Sequence, residues 1–197
     1  MAVACATGVP DSDGVLAAAL AYDLDRAFER LVIAYRVRIV SFVARMLHDS
    51  ARAEEVGQDV FVRAYRALQS YPAERVRALR LAPWLFRIAH NLARNAVRDA
   101  PPPSEPLEYD DGAPRTVLSD ARLDPEQLVL RTEAWASVGA AVARLSPALR
   151  GAFVMRYLDE LTYEEIAESL DQPVGTVKAS AHRGLVAVRS YLEKQDE

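Results

Sequence analysis

The stretch LTYEEIAESLDQPVGTVKASAHRGLVAVRSYL, Leu161–Leu192, decides the fold of the C-terminal part of the chain. Thr162 followed three residues later by Glu165 is a capping box, in which the hydroxyl accepts from a backbone N–H and the carboxylate reaches back. Ile166, Ala167 and Leu170 then recur at helical spacing, and Asp171, Gln172 and Pro173 break the pattern. A second helix is predicted from about Val174, with Val177, Ala181, Leu185 and Val188 on its inward side. Two helices joined by so short a turn form the geometry that lays the second helix in a DNA major groove, although a bland helical hairpin shares the spacing. With Val177 taken as the inward reference, Thr176, Ala179, Ser180 and Arg183 are expected on the far side, flanked by Lys178 and His182. Arg183 suits a guanine edge, Ser180 and Thr176 a base or phosphate, and Lys178 a phosphate near the helix start.

Working outward, the 197 residues are rich in helix formers, and 51% are hydrophobic, enough for one or two packed domains. The expected class is all-α. No run has the length of a membrane-spanning helix, the N-terminus lacks the pattern of a secretory signal, and a cytoplasmic protein is expected. Cys5 is the only cysteine, so no disulfide framework or cysteine-based zinc site is expected. His48, His90 and His182 stand apart, with no HExxH motif and no Gly-rich phosphate loop after a strand, so no metal, cofactor or catalytic site is expected.

The net charge of −4 hides an uneven distribution. Residues 20–100 hold fourteen arginines against nine acids, whereas residues 101–126 hold two against seven. Local patches of this kind, not the total, govern binding to phosphates. The expected organisation is a flexible tail over 1–20, a basic helical domain over 21–99, a Pro-rich acidic linker over 100–124 and the helix-turn-helix domain over 125–197. Within the first domain, apolar series from Asp23 to His48, from Asp49 or Ser50 to Tyr71, and from Pro83 to Arg98 predict three main helices. The Arg-rich piece Ala73–Arg80 reads as a loop or short helix. Leu85, Ile88, Ala89, Leu92 and Val97 are expected to point inward, and Trp84 reads as core more readily than as a base-stacking platform.

Two helix faces in the first domain carry chemistry. Glu55, Gln58, Asp59 and Val62 lie at three- and four-residue spacing and form one mixed face able to meet arginines on a partner helix. Arg87, Asn91, Arg94, Asn95 and Arg98 recur in the same way, and amides beside guanidiniums suit single-stranded DNA, where splayed bases offer their edges and phosphates run alongside.

Three segments, AEEVGQDVFVRAYRAL (Ala53–Leu68), APWLFRIAHNLARNAVRD (Ala82–Asp99) and LSPALRGAFVMRYLDELTYEEIAESLDQPVGTVK (Leu145–Lys178), occur in that order. Together they resemble the bacterial sigma factors of the extracytoplasmic-function group over roughly residues 23–192. The resemblance implies that the first segment docks on the clamp helices of core RNA polymerase, that the second opens and reads the −10 element, with Asn91 and Asn95 holding bases, and that the third reads the −35 element and meets the polymerase flap. It further implies control by an anti-sigma protein and a linker that threads toward the polymerase active centre. The chain departs from the family's common pattern at Ala179-Ser180-Ala181, at Asp99 after Arg98 and in the long Arg-rich piece Val76–Leu81, all of which bear on which promoters are read. A free-standing helix-turn-helix regulator is the alternative, but it leaves the Glu55–Val62 and Arg87–Arg98 faces without a task.

Overall fold

The computed structural model describes residues 10–99 and 135–195, all of it helices and short connections. The first block holds α1 (Pro10–Tyr22), α2 (Leu24–Leu47), α3 (Ser50–Ser70), the single turn α4 (Ala73–Arg77) and α5 (Leu81–Arg98). Local chemistry sets each boundary. Asp23 caps α2 by accepting from the Arg26 N–H, and Asp49 caps α3 by accepting from the Arg52 N–H. Between them His48 takes a left-handed conformation, φ 57°, which stops α2 and turns the chain. Tyr71 is extended because Pro72 follows it, which ends α3, and Pro83 sits in the first turn of α5, where its missing N–H costs nothing.

Leu31, Ile39, Phe42 and Met46 of α2, Val60 and Ala64 of α3, and Leu85, Phe86 and Ala89 of α5 interlock as one core. The Phe42 and Phe86 rings meet edge to face at 5.2 Å. Trp84 is half-buried beside Tyr71 and packs on this core, in line with the reading from sequence.

The second block holds α6 (135–143), α7 (Pro147–Phe153), which runs on into a π-helical turn at Val154–Leu158, α8 (Tyr163–Leu170) and α9 (Val174–Glu193). Its core is Val142, Phe153, Met155, Leu161, Ile166, Val177, Ala181 and Val188. Gly184 lets α9 close on α7, since a β-carbon there would lie 3.0 Å from Phe153 Cβ. The blocks pack on one another, α8 against α5 and α7 against α2. At the seam the buried Arg150 donates to the carbonyls of Val142, Ala143 and Leu145 and across to Met46. One guanidinium thus caps carbonyls at the C-terminal ends of α6 and α2.

Several expectations need correction. Residues 10–20 are not tail but part of α1, with Leu16, Ala17 and Leu20 buried against α2 and α4; residues 1–9 lie outside the described residues, as do the linker over 100–124 and the first ten residues of the 125–197 domain. Val97 and Leu185, expected inward, are exposed, and Ala93 and Gly184 take the inward places.

Candidate polymerase and nucleic-acid interfaces

On α3, Ala53, Val60, Phe61 and Ala64 face the core, which turns Glu55, Gln58, Asp59 and Val62 outward. All four are exposed, and Val62 is an apolar spot amid polar groups. The neighbouring surface is braced by Arg36, which pairs with Glu54 at 3.1 Å, and by Tyr65, which donates to Asp25 and meets the Phe28 ring edge-on. The predicted mixed face is therefore a single exposed strip.

On α5, Arg87, Asn91, Arg94 and Arg98 are exposed and Asn95 is half-buried, so the five share one side of the helix. Leu85, Ala89 and Leu92 hold the opposite side in the core, and Arg52 ties α3 to the helix by donating to the Ala96 carbonyl at 2.8 Å. Asp99 pairs with Arg98 at 3.0 Å, so the terminal guanidinium is already part-neutralised. His90 lies on the flank of α5 against Gly151, and burial, then the nearby Arg94, pushes its pKa down to about 4.

In the second block the capping box forms as read. Thr162 Oγ1 accepts from the Glu165 N–H at 3.2 Å, and Glu165 Oε2 accepts from the Thr162 N–H at 2.8 Å. On α9, Thr176, Lys178, Ala179, His182 and Arg183 are exposed. Lys178 stands over the Tyr163 ring at 5.5 Å, and Arg183 folds back to donate to the Ala179 carbonyl. Ser180 is the correction: it is 6% exposed and lies in the core, not on the outward stripe. Three residues at 100° bring it within 60° of Val177, on the buried side.

Three residues at the seam between the blocks, Arg80, Ser169 and Arg150, carry no role in the reading from sequence, and Arg87 gains a second partner there. Arg80 donates to Glu165 at 3.0 Å and to Glu168 at 3.2 Å. Arg87 lies 3.6 Å from Asp171, Ser169 donates to the Pro83 carbonyl at 3.0 Å, and Arg150 reaches Met46. A polar Ser169 on the otherwise apolar side of α8 is the one signal in the sequence that something other than its own core meets that helix. Among the described residues no cluster of His, Cys, Asp and Glu could hold a metal ion, and no helix is long and apolar enough to cross a membrane.

Comparison with known proteins agrees with this layout. The family description "Sigma-70 region 2" matches residues 31–101 and "Sigma-70, region 4" matches residues 136–188. The RNA polymerase sigma-H factor of Pseudomonas aeruginosa is 34% identical over 175 residues, covering 85% of this chain and 87% of that one. The ECF RNA polymerase sigma factor SigW of Bacillus subtilis is 34% identical, covering 84% and 89%, and the ECF RNA polymerase sigma-E factor of Escherichia coli is 33% identical, covering 85% and 87%. Among solved structures, CnrH in complex with the cytosolic domain of CnrY has a similar fold, with a TM-score of 0.67 at 22% identity over 93% of this chain and 99% of that one. So does the sigma factor RpoE of Bartonella quintana in complex with the anti-sigma factor NepR, with a TM-score of 0.60 at 18% identity over 84% and 96%. With its region 2 carrying the α3 and α5 faces and its region 4 carrying the capped helix-turn-helix, the chain belongs to the ECF family of RNA polymerase sigma factors.

Proposed function

We propose that the chain joins core RNA polymerase through the α3 strip of Glu55, Gln58, Asp59 and Val62, and directs it to promoters through two DNA-reading faces. The α5 face, Arg87, Asn91, Arg94, Asn95 and Arg98, holds the unpaired −10 strand: guanidiniums meet phosphates while the amides meet base edges. The α9 face, Thr176, Lys178, Ala179, His182 and Arg183, reads the −35 duplex in the major groove, with Arg183 as the base-reading group and Lys178 on phosphate. Ser180 is left out of this set because it is buried. Binding energy for the separated strand offsets the cost of unstacking, so the chain positions and the polymerase performs the chemistry.

The observation that carries this reading is that the three faces, exposed but for the half-buried Asn95, lie in family order on helices whose opposite sides are core. The structure similar in fold that was solved with the anti-sigma factor NepR supports control by a protein of that kind, in the cytoplasm where polymerase works. A pull-down of core polymerase tests the assignment, comparing the intact chain with a Gln58→Ala, Asp59→Arg variant. Capture of core by the intact chain and its loss in the variant is the expected result. A chain that ignores core yet binds duplex DNA alone would be a conventional helix-turn-helix regulator.

A further inference from the structure

Several cations of the second block are held by oxygen acceptors. Arg189 pairs with Glu193, Arg183 donates to the Ala179 carbonyl, and Arg150 is taken up by carbonyls at the seam. Lys178 is held differently. Its Nζ stands 5.5 Å from the centre of the Tyr163 ring, and among the described residues no carboxylate pairs with it. The two residues come from different helices of the helix-turn-helix: Tyr163 opens α8, and Lys178 lies in the second turn of α9.

Tyr163 is itself fixed. It follows the Thr162 N-cap, is half-buried against the core of the block, and carries the Arg156 guanidinium 4.9 Å from its ring centre. Arg156 in turn donates from Nη1 to the Leu161 carbonyl at 3.0 Å, which closes the connection between the π-helical turn and α8. The ring is thus a fixed plate, whereas Lys178 is a long side chain exposed to water.

We propose that Tyr163 is the positioning residue of Lys178, its ring holding the ammonium of the −35-reading helix in place for a backbone phosphate while leaving the charge uncompensated. The proposal rests on α9 being the face that meets duplex DNA. A carboxylate would orient the ammonium too, but it would neutralise the charge and the phosphate would have to displace it. An aromatic face attracts the cation through its quadrupole and adds no net charge. An unheld lysine loses the freedom of several rotatable bonds on meeting a phosphate, and a lysine already seated on a ring loses less.

The test measures binding of the full-length chain to a short fluorescent DNA duplex of mixed sequence as salt is raised from low ionic strength. Tyr163→Phe keeps the ring and is the reference. Pentafluorophenylalanine at position 163 keeps the ring's shape and reverses its quadrupole, so the two chains differ in the pull on the cation and not in the fold. Tyr191→Leu is the control, since Tyr191 carries Arg144 over its ring at 4.6 Å near the far end of α9.

The fluorinated chain is expected to bind roughly two- to fivefold more weakly than Tyr163→Phe. Lys178→Gln should weaken binding and lower the slope of log affinity against log salt by about one. In the Lys178→Gln background the fluorinated ring should change nothing further, and Tyr191→Leu should bind like the parent. Equal binding by the Phe and fluorinated chains, with Lys178→Gln still weakened, overturns the positioning role. So does an undiminished effect of the fluorinated ring in the Lys178→Gln background, because the ring would then act without the lysine. Should Lys178→Gln leave both affinity and salt slope unchanged, or the parent show no salt-dependent duplex binding, the reading of α9 fails instead.

Discussion

At Gly57 the backbones of α2 and α3 approach so closely that a β-carbon would lie 2.7 Å from Val40 Cγ2. Val40 is β-branched and within a helix, so its methyl cannot swing away, and the helices themselves must shift. Gly57→Ala gains up to about 1 kcal/mol of helix propensity, but the overpacking costs about 1–3 kcal/mol. The expected net effect is a loss of stability, read by urea unfolding. Gly14→Ala, where a β-carbon meets open space within α1, is the opposite case and should gain up to about 1 kcal/mol. A neutral Gly57→Ala would mean that α3 slides freely, which would leave the Gln58–Asp59 strip without a fixed platform. The same scale explains one misreading from sequence. Ser180 is expected opposite Val177, yet three residues at 100° each return it to within 60° of Val177, and it lies in the core.

The helices that could be read from sequence carry their own boundary chemistry. α8 is only eight residues long, too short to persist in water without help. Its capping box and its packing therefore decide whether it forms. Thr162→Ala should cost about 1 kcal/mol and weaken binding of a −35 duplex, whereas Thr162→Ser should restore both. Glu165 serves the cap and also pairs with Arg80. Glu165→Gln keeps an acceptor for the Thr162 N–H but loses the charge, so it should loosen the seam while leaving the helix intact; circular dichroism against salt-dependent oligonucleotide binding separates the two effects. α2, α3, α5 and α9 were legible for similar reasons, from Asp23, Asp49, Pro72, Pro83 and Pro173 at their limits and apolar residues at helical spacing between. α1 was not. Its run from Val15 to Ala21 is apolar on every side, so it has no polar stripe to set a period. What orders it is tertiary: packing of Leu16, Ala17 and Leu20, and the bond from the Tyr35 hydroxyl to Asp13. The three site faces followed from spacing, but the Arg80 and Arg87 pairings join residues more than eighty positions apart and leave no local trace.

Across the whole molecule the seam buries titratable groups whose pH responses oppose one another. Asp159, 8% exposed, lies near Arg45 and Arg38 of α2, and Arg38 donates to its carbonyl; its Oδ2 has no hydrogen-bond partner. Burial outweighs the attraction of the two arginines and raises the carboxyl to about 7. The folded state then holds a proton that the unfolded chain, ionising near 3.8, gives up. That contribution to stability is complete below the unfolded value and is lost as pH rises toward 7. His90 behaves in reverse. Lowered to about 4 by burial and Arg94, it contributes fully above its ordinary 6.5, and the contribution is lost as pH falls through 4. His48, lowered by burial and Arg150, has the same sign as His90. Each group alone would tilt stability by at most about 1.4 kcal/mol per pH unit, and between 4 and 6.5 the Asp159 slope cancels one histidine's. Single variants should unmask the parts. Asp159→Asn is expected to exceed the parent by about 1–3 kcal/mol at pH 8, with the advantage fading toward pH 4. His90→Gln is expected to gain on the parent only as pH falls from 6.5 to 4. Urea unfolding across pH 4–8 measures both differences. Variant profiles parallel to the parent would show that neither group changes its proton affinity on folding, whereas two differences that grow in opposite directions would place both titrations in the packed seam.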